Sequence, residues 1–72
     1  MKAELCVRNR VKLARVEREY TQQELADLIG VTRQTIGLIE AHQYNPTIAL
    51  CLRLARALHK SLTDLFWEEE LA

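Results

Sequence analysis

The 72-residue sequence predicts a single all-α domain, a compact bundle of five short helices. Three observations carry that prediction. Apolar residues recur at three- and four-residue spacing in successive stretches. Thr21, Thr32, Thr47 and Ser61 stand where four of those stretches begin, as helix N-caps do. Gly30 and the Asn45-Pro46 pair interrupt the pattern between them. Apolar residues make up 49% and charged residues 28% of the chain, a balance that suits a folded domain and excludes a disordered one. No internal repeat or low-complexity tract is present. A chain this short buries only roughly 60% of the surface its unfolded form exposes, so its stability is modest.

Taken in order, the first helix is predicted over Asn9 to Glu19, with Val11, Ala14 and Leu13 turned inward and the basic residues around the remaining arc. Thr21 followed by Glu24 is a capping box, in which each side chain satisfies an orphan amide at the start of helix two. Gly30 closes that helix, being the residue free of a Cβ penalty at positive φ, and Val31 follows as a turn residue pointing to the core. Thr32 caps helix three, where Ile36, Ile39 and by continuation Tyr44 share the inner face. Arg33, Gln34, Gly37, Leu38 and Ala41 are left to the other sides.

His42 to Pro46 reads as a loop, because the residue before a proline is disfavoured from the α region. Thr47 caps helix four, whose apolar stripe is Ile48, Cys51, Leu52, Ala55 and Leu58, and Ser61 with Asp64 opens a short fifth helix. The ends leave two alternatives. Leu5 to Arg8 alternate and Leu65, Phe66 and Trp67 favour strands, which predicts a short antiparallel terminal pair; the other reading is a frayed start and a helical finish.

Two short amphipathic helices joined by a Gly-containing turn, Thr21 to Glu40, form a unit that presents its second helix to a DNA groove. With NRVKLAR before this unit, and YNPT, LCLRLARAL and SLTDLF after it, the chain resembles the Cro and lambda-repressor type (Xre-like) family of helix-turn-helix regulators over about residues 10–66. The resemblance rests on five segments in the right order at the right separations. It implies a lambda-repressor-like DNA-binding fold and a sequence-specific transcriptional regulator, expected to be a repressor in the cytoplasm.

The resemblance places Thr32, Arg33, Gln34 and Thr35 nearest the base edges, and Leu38 where it can meet a thymine methyl or a protein neighbour. Gln pairs bidentately with adenine and Arg with guanine, so the residue types suit direct readout. Gln22 opens helix two, where free amides and the positive dipole end receive a phosphate, and it resembles the family's phosphate-clamping Gln. Arg10, Gln43, Tyr44 and Asn45 are implied as further backbone contacts, with the Tyr44 ring alternatively packing on the bundle. Arg15 and Glu40 fall where the family holds a helix-one Arg against a Glu ending the recognition helix, a structural ion pair. Relatives often follow that Glu with an Asn-Gly-Lys-like turn. Here the turn reads Ala41, His42, Gln43, without the Gly or the cation.

Leu62, Leu65, Phe66, Trp67 and Leu71 are more large apolar groups than a short final helix buries within one small subunit. Together with Leu5 and Val7 they are expected to join a homodimer, presenting two recognition helices about 34 Å apart to a palindrome. The alternative is that Phe66 and Trp67 close the subunit's own core.

Ten basic and ten acidic residues cancel, which weakens a purely electrostatic case for DNA, although the first helix gathers basic residues and Glu68 to Glu70 lie at the other end. Cys6, Cys51, His42 and His59 lack metal-ligand spacing, so neither a metal, a cofactor nor a disulfide framework is expected. No membrane span, signal-type segment, small-molecule effector pocket or catalytic constellation is predicted. The rival to a regulator is a protein-interaction module, or an antitoxin, that keeps the helix-turn-helix fold.

Overall fold

The computed structural model describes residues 5–70, with the side chains of residues 8–67. In chain order the elements are β1 (Leu5–Asn9), α1 (Val11–Glu17), α2 (Gln22–Ile29), α3 (Arg33–Glu40), α4 (Ile48–Leu58), α5 (Leu62–Leu65) and β2 (Phe66–Glu70). Of the two alternatives for the ends, the strand pair is the one found. The strands β1 and β2 run antiparallel, with Leu5 opposite Glu70, Val7 opposite Glu68 and Asn9 opposite Phe66. The Arg10 amide then donates to the Leu65 carbonyl at 3.0 Å, carrying the pairing into the helices. A two-stranded ribbon alone is marginal, so the packing of Phe66 into the helical core is what anchors it.

The helix boundaries follow local chemistry. Thr21 and Glu24 form the full capping box, Thr21 Oγ1 accepting from the Glu24 amide at 3.0 Å and Glu24 Oε1 from the Thr21 amide at 2.8 Å. Gly30 ends α2 in the left-handed region at φ 76, returning its N–H to the Ala26 carbonyl. Thr32, Thr47 and Ser61 each accept from the amide three residues on, at 3.2, 3.1 and 3.1 Å. α1 is shorter than predicted. Asn9 belongs to β1, and its Oδ1 reaches past Arg10 to take the Val11 amide at 3.1 Å, a cap supplied from one residue earlier.

The core draws Val11 and Ala14 from α1, Leu25, Ala26 and Ile29 from α2, and Ile36 and Ile39 from α3. Leu50, Cys51, Leu54, Ala55 and Leu58 of α4 complete it with Leu65 and Phe66. Several predicted placements are corrected. Leu13 is exposed, because α1 turns only Val11 and Ala14 inward. In α4 the inward stripe contains Leu50 and Leu54, while Ile48 and Leu52 stand 70% and 50% exposed. Two helical stripes share Cys51, Ala55 and Leu58, and the packing of α2 and α5 selects the one through Leu50 and Leu54. Tyr44 lies on the loop and is exposed rather than continuing the inner face of α3.

Candidate nucleic-acid interface

α2 and α3 are set against each other through Leu25, Ala26 and Ile29 on one side and Ile36 and Ile39 on the other. With those residues turned in, the first turn of α3 faces solvent, and Thr32, Arg33 and Gln34 are all exposed. Their availability differs. Thr32 Oγ1 already accepts from the Thr35 amide and lies 3.0 Å from Thr35 Oγ1, so the two hydroxyls share one proton between them and keep one for an outside acceptor. Leu38 and Thr35 are half-buried. Arg33 and Gln34 are therefore the long side chains at this end whose donors and acceptors can reach outward.

The far end of α3 is tied to α1. Arg15 Nε donates to Glu40 Oε2 at 2.7 Å and its Nη2 to Glu40 Oε1 at 3.3 Å, with side chains only 12% and 5% exposed. Arg15 Nη1 also donates to the Tyr20 carbonyl at 2.9 Å, so the guanidinium makes three hydrogen bonds to two residues. Such a two-point pair fixes both the distance and the rotation of α3 relative to α1. Asn9, a residue that the sequence pattern did not single out, adds a second tie, donating from Nδ2 to the Ile39 carbonyl at 2.9 Å. Its signal was obscured because Asn9 sits 30 residues away from its partner.

Gln22, at the first position of α2, is half-buried between these two regions. Its Nε2 donates to Glu40 Oε1 at 3.0 Å and its Oε1 accepts from Arg33 Nη1 at 3.2 Å. Both contacts span more than ten residues of sequence, which is why a local reading assigned Gln22 only to phosphate.

Arg10 is engaged within the subunit. Its guanidinium lies 4.6 Å from the centroid of the Trp67 ring and donates to the Asp64 carbonyl at 3.5 Å. A cation held over an indole face is directed at the β2 end of the molecule, with its remaining N–H donors exposed. Gln43, Tyr44 and Asn45 are exposed on the loop after α3, with the Gln43 amide fastened to the Leu38 carbonyl at 2.9 Å. His42 supplies the left-handed turn that a Gly would make, at φ 60, and its Nδ1 lies 3.4 Å from Asn9 Nδ2.

The residues expected to join two copies lie in different surroundings. Leu65 is fully buried and Phe66 almost so; both fill the subunit's own core, as the alternative reading had it, and are unavailable to a partner. Leu62 packs partly against that core, and Trp67 is 36% exposed. The side chains of Leu5 and Val7, and Leu71 as a whole, lie outside the described residues. Among the described residues no group of three metal-ligating side chains is found, and no helix is long and apolar enough to cross a membrane.

Comparison with known proteins agrees with this geometry. The helix-turn-helix family model matches residues 11–65. An uncharacterised HTH-type transcriptional regulator of Bacillus subtilis, YgzD, is 39% identical over 64 residues, covering 89% of this chain and 97% of that protein. The immunity repressor protein of Bacillus phage phi105 is 33% identical over 67 residues, 93% of this chain but 46% of that longer protein. Among solved structures, the restriction-modification controller protein C.AhdI of Aeromonas hydrophila superposes with a TM-score of 0.72 at 31% identity, over 76% of this chain and 83% of that one. Capped α2, the Gly30 turn and an outward-facing α3 thus coincide with a match across most of the chain: the protein belongs to the helix-turn-helix family of Cro and lambda-repressor (Xre-like) type, and is a DNA-binding regulator rather than an enzyme.

Proposed function

We propose that this chain is a sequence-specific repressor that occupies a palindromic operator as a homodimer, in the cytoplasm. The observation that carries the reading is the first turn of α3, where Arg33 and Gln34 stand exposed side by side while the caps of the same turn are satisfied internally. Arg33 suits a guanine edge and Gln34 an adenine edge. The half-buried Leu38, later on α3, and the exposed loop residues Gln43, Tyr44 and Asn45 that follow the helix are the candidates for further groove and backbone contacts. A relative that is itself an immunity repressor favours repression as the outcome.

Support for a dimer moves from Leu65 and Phe66 to the surface beside them. Ile48 and Leu52 form an exposed apolar pair one helical turn apart on α4, and a groove at the α4 start is lined by Pro46, Ile48, Leu62 and Trp67. Covering that face with a second copy would remove it from water, and a palindrome would require the two α3 helices of such a dimer to lie about one DNA turn apart.

Footprinting of the purified protein on genomic fragments tests the proposal. Protection of a two-fold symmetric site, with two protected major-groove faces about 10 base pairs apart, is the expected pattern. Unprotected DNA at protein concentrations where the chain is folded would overturn it. That outcome would instead favour a protein-interaction module that keeps the fold without binding DNA, a reading supported by the zero net charge and the exposed Leu13, Val16 and Leu28.

A further inference from the structure

One side chain joins the buried ion pair to the exposed reading end of α3. A carboxylate only accepts hydrogen bonds, so the end of the Gln22 amide facing Glu40 Oε1 at 3.0 Å has to be its nitrogen. The Gln22 carbonyl oxygen, which only accepts, then points the other way, where the Arg33 guanidinium, which only donates, meets it at 3.2 Å. The series Arg15, Glu40, Gln22, Arg33 alternates donor and acceptor at every contact. Reversing the Gln22 amide would set acceptor against acceptor at one end and donor against donor at the other. Glu40 cannot turn away to permit that reversal, because Arg15 holds both of its oxygens in a site that is 5% exposed.

We propose that Glu40, acting through Gln22, is a positioning residue for base readout. It fixes the Gln22 carbonyl toward Arg33, and that carbonyl pre-orients the guanidinium for the groove. This rests on the reading of α3 as the base-reading helix. An unrestrained arginine at the first position of an exposed helix would lose its rotamer freedom only on meeting DNA, at a cost in affinity for the correct base. An arginine already held by one N–H keeps its remaining donors for a guanine edge and forfeits less on binding. The consequence differs from that of a phosphate ligand. A phosphate contact strengthens binding to every sequence alike, whereas a group that aims Arg33 sharpens discrimination at one base pair.

The test uses the full chain and the duplex it selects from a random library, together with every single base-pair substitution of that duplex. Affinities are measured for the wild type, Arg33→Ala, Gln22→Met, Glu40→Gln and the Arg33→Ala, Gln22→Met double variant, with thermal unfolding recorded for each. Gln22→Met keeps the length and apolar stem of the side chain but neither donates nor accepts through an amide. It is expected to reduce discrimination ~5- to 10-fold at the base pair where Arg33→Ala abolishes it, and at no other. It is expected to change nothing further at that base pair in the Arg33→Ala background. Glu40→Gln lets the Gln22 amide reverse and is expected to relax the same base pair; should that variant unfold, Gln22→Met carries the decision. A uniform loss of affinity on all duplexes, with discrimination intact, would overturn the proposal and leave Gln22 a phosphate ligand. Intact discrimination everywhere in Arg33→Ala would overturn the base-reading assignment of Arg33 itself, and the positioning role with it.

Discussion

Gly37 lies in the middle of α3, one helical turn beyond Arg33, where glycine costs ~1 kcal/mol relative to alanine in unfolded-chain entropy and backbone exposure. A Cβ built there meets no heavy atom within 4 Å, and Gly37 is not in the left-handed region, so neither a clash nor a special backbone conformation explains the glycine. Gly37→Ala should therefore recover nearly the whole propensity difference. In a domain of this size a gain of ~1 kcal/mol raises the melting temperature by ~4–8 °C. Circular dichroism at 222 nm during heating, and a urea titration with an unchanged slope, would measure it. The same methyl projects from the side of α3 proposed to enter the groove. Affinity for the selected duplex is expected to fall as stability rises. A lower melting temperature would refute the propensity argument, and a higher one with unaltered affinity would refute the close approach of DNA to Gly37.

Glu40→Ala strands the mostly buried Arg15 guanidinium and should cost ~3 kcal/mol, while the Arg15→Ala, Glu40→Ala double variant should cost less than the sum of the single variants; additive losses in urea unfolding would contradict a coupled pair. Gly30→Ala forces an L-residue to φ 76 in open space, so its cost should be the backbone penalty alone, ~1–2 kcal/mol. His59→Gly removes the same penalty at φ 56 beyond the end of α4 and should stabilise by ~1 kcal/mol, both changes being read from thermal melts. Burial pushes the Cys51 thiol up from its ordinary value of 9.0, so the peptide containing Cys51 should stay unlabelled by iodoacetamide in the folded protein and react on unfolding. The raised folded-state value also gives a stability contribution that is fully present below pH 9.0 and is lost as pH rises through the folded value, a decline to be followed by urea unfolding at increasing alkalinity.

Features governed by a few neighbouring residues were legible in the sequence. The capping box at Thr21 and Glu24, the left-handed stop at Gly30 and the caps at Thr32, Thr47 and Ser61 each depend on side chains and amides within three or four positions. The facing of helices was less legible. In α4 nearly every residue is apolar, so two overlapping stripes satisfy the same period, and only the partner helices decide that Leu54 goes in and Leu52 stays out. In α1, Val11 and Ala14 suffice for the inner face, which leaves Leu13 and Val16 outside. At the candidate site the residue types at Arg33 and Gln34 could be read directly, because their exposure follows from the inward face of the same helix. The engagement of Arg10 by Trp67 and of Gln22 by Glu40 could not, since each contact joins residues far apart in the chain and depends on the assembled bundle.

The central claim, that the exposed end of α3 reads bases, is tested most directly by selecting bound duplexes from a random library at near-physiological salt, with the wild type and with the Arg33→Ala, Gln34→Ala variant. The account predicts a single enriched palindrome for the wild type and its loss in the variant, whose fold is preserved. No enrichment, or the same palindrome selected by both proteins, would contradict it.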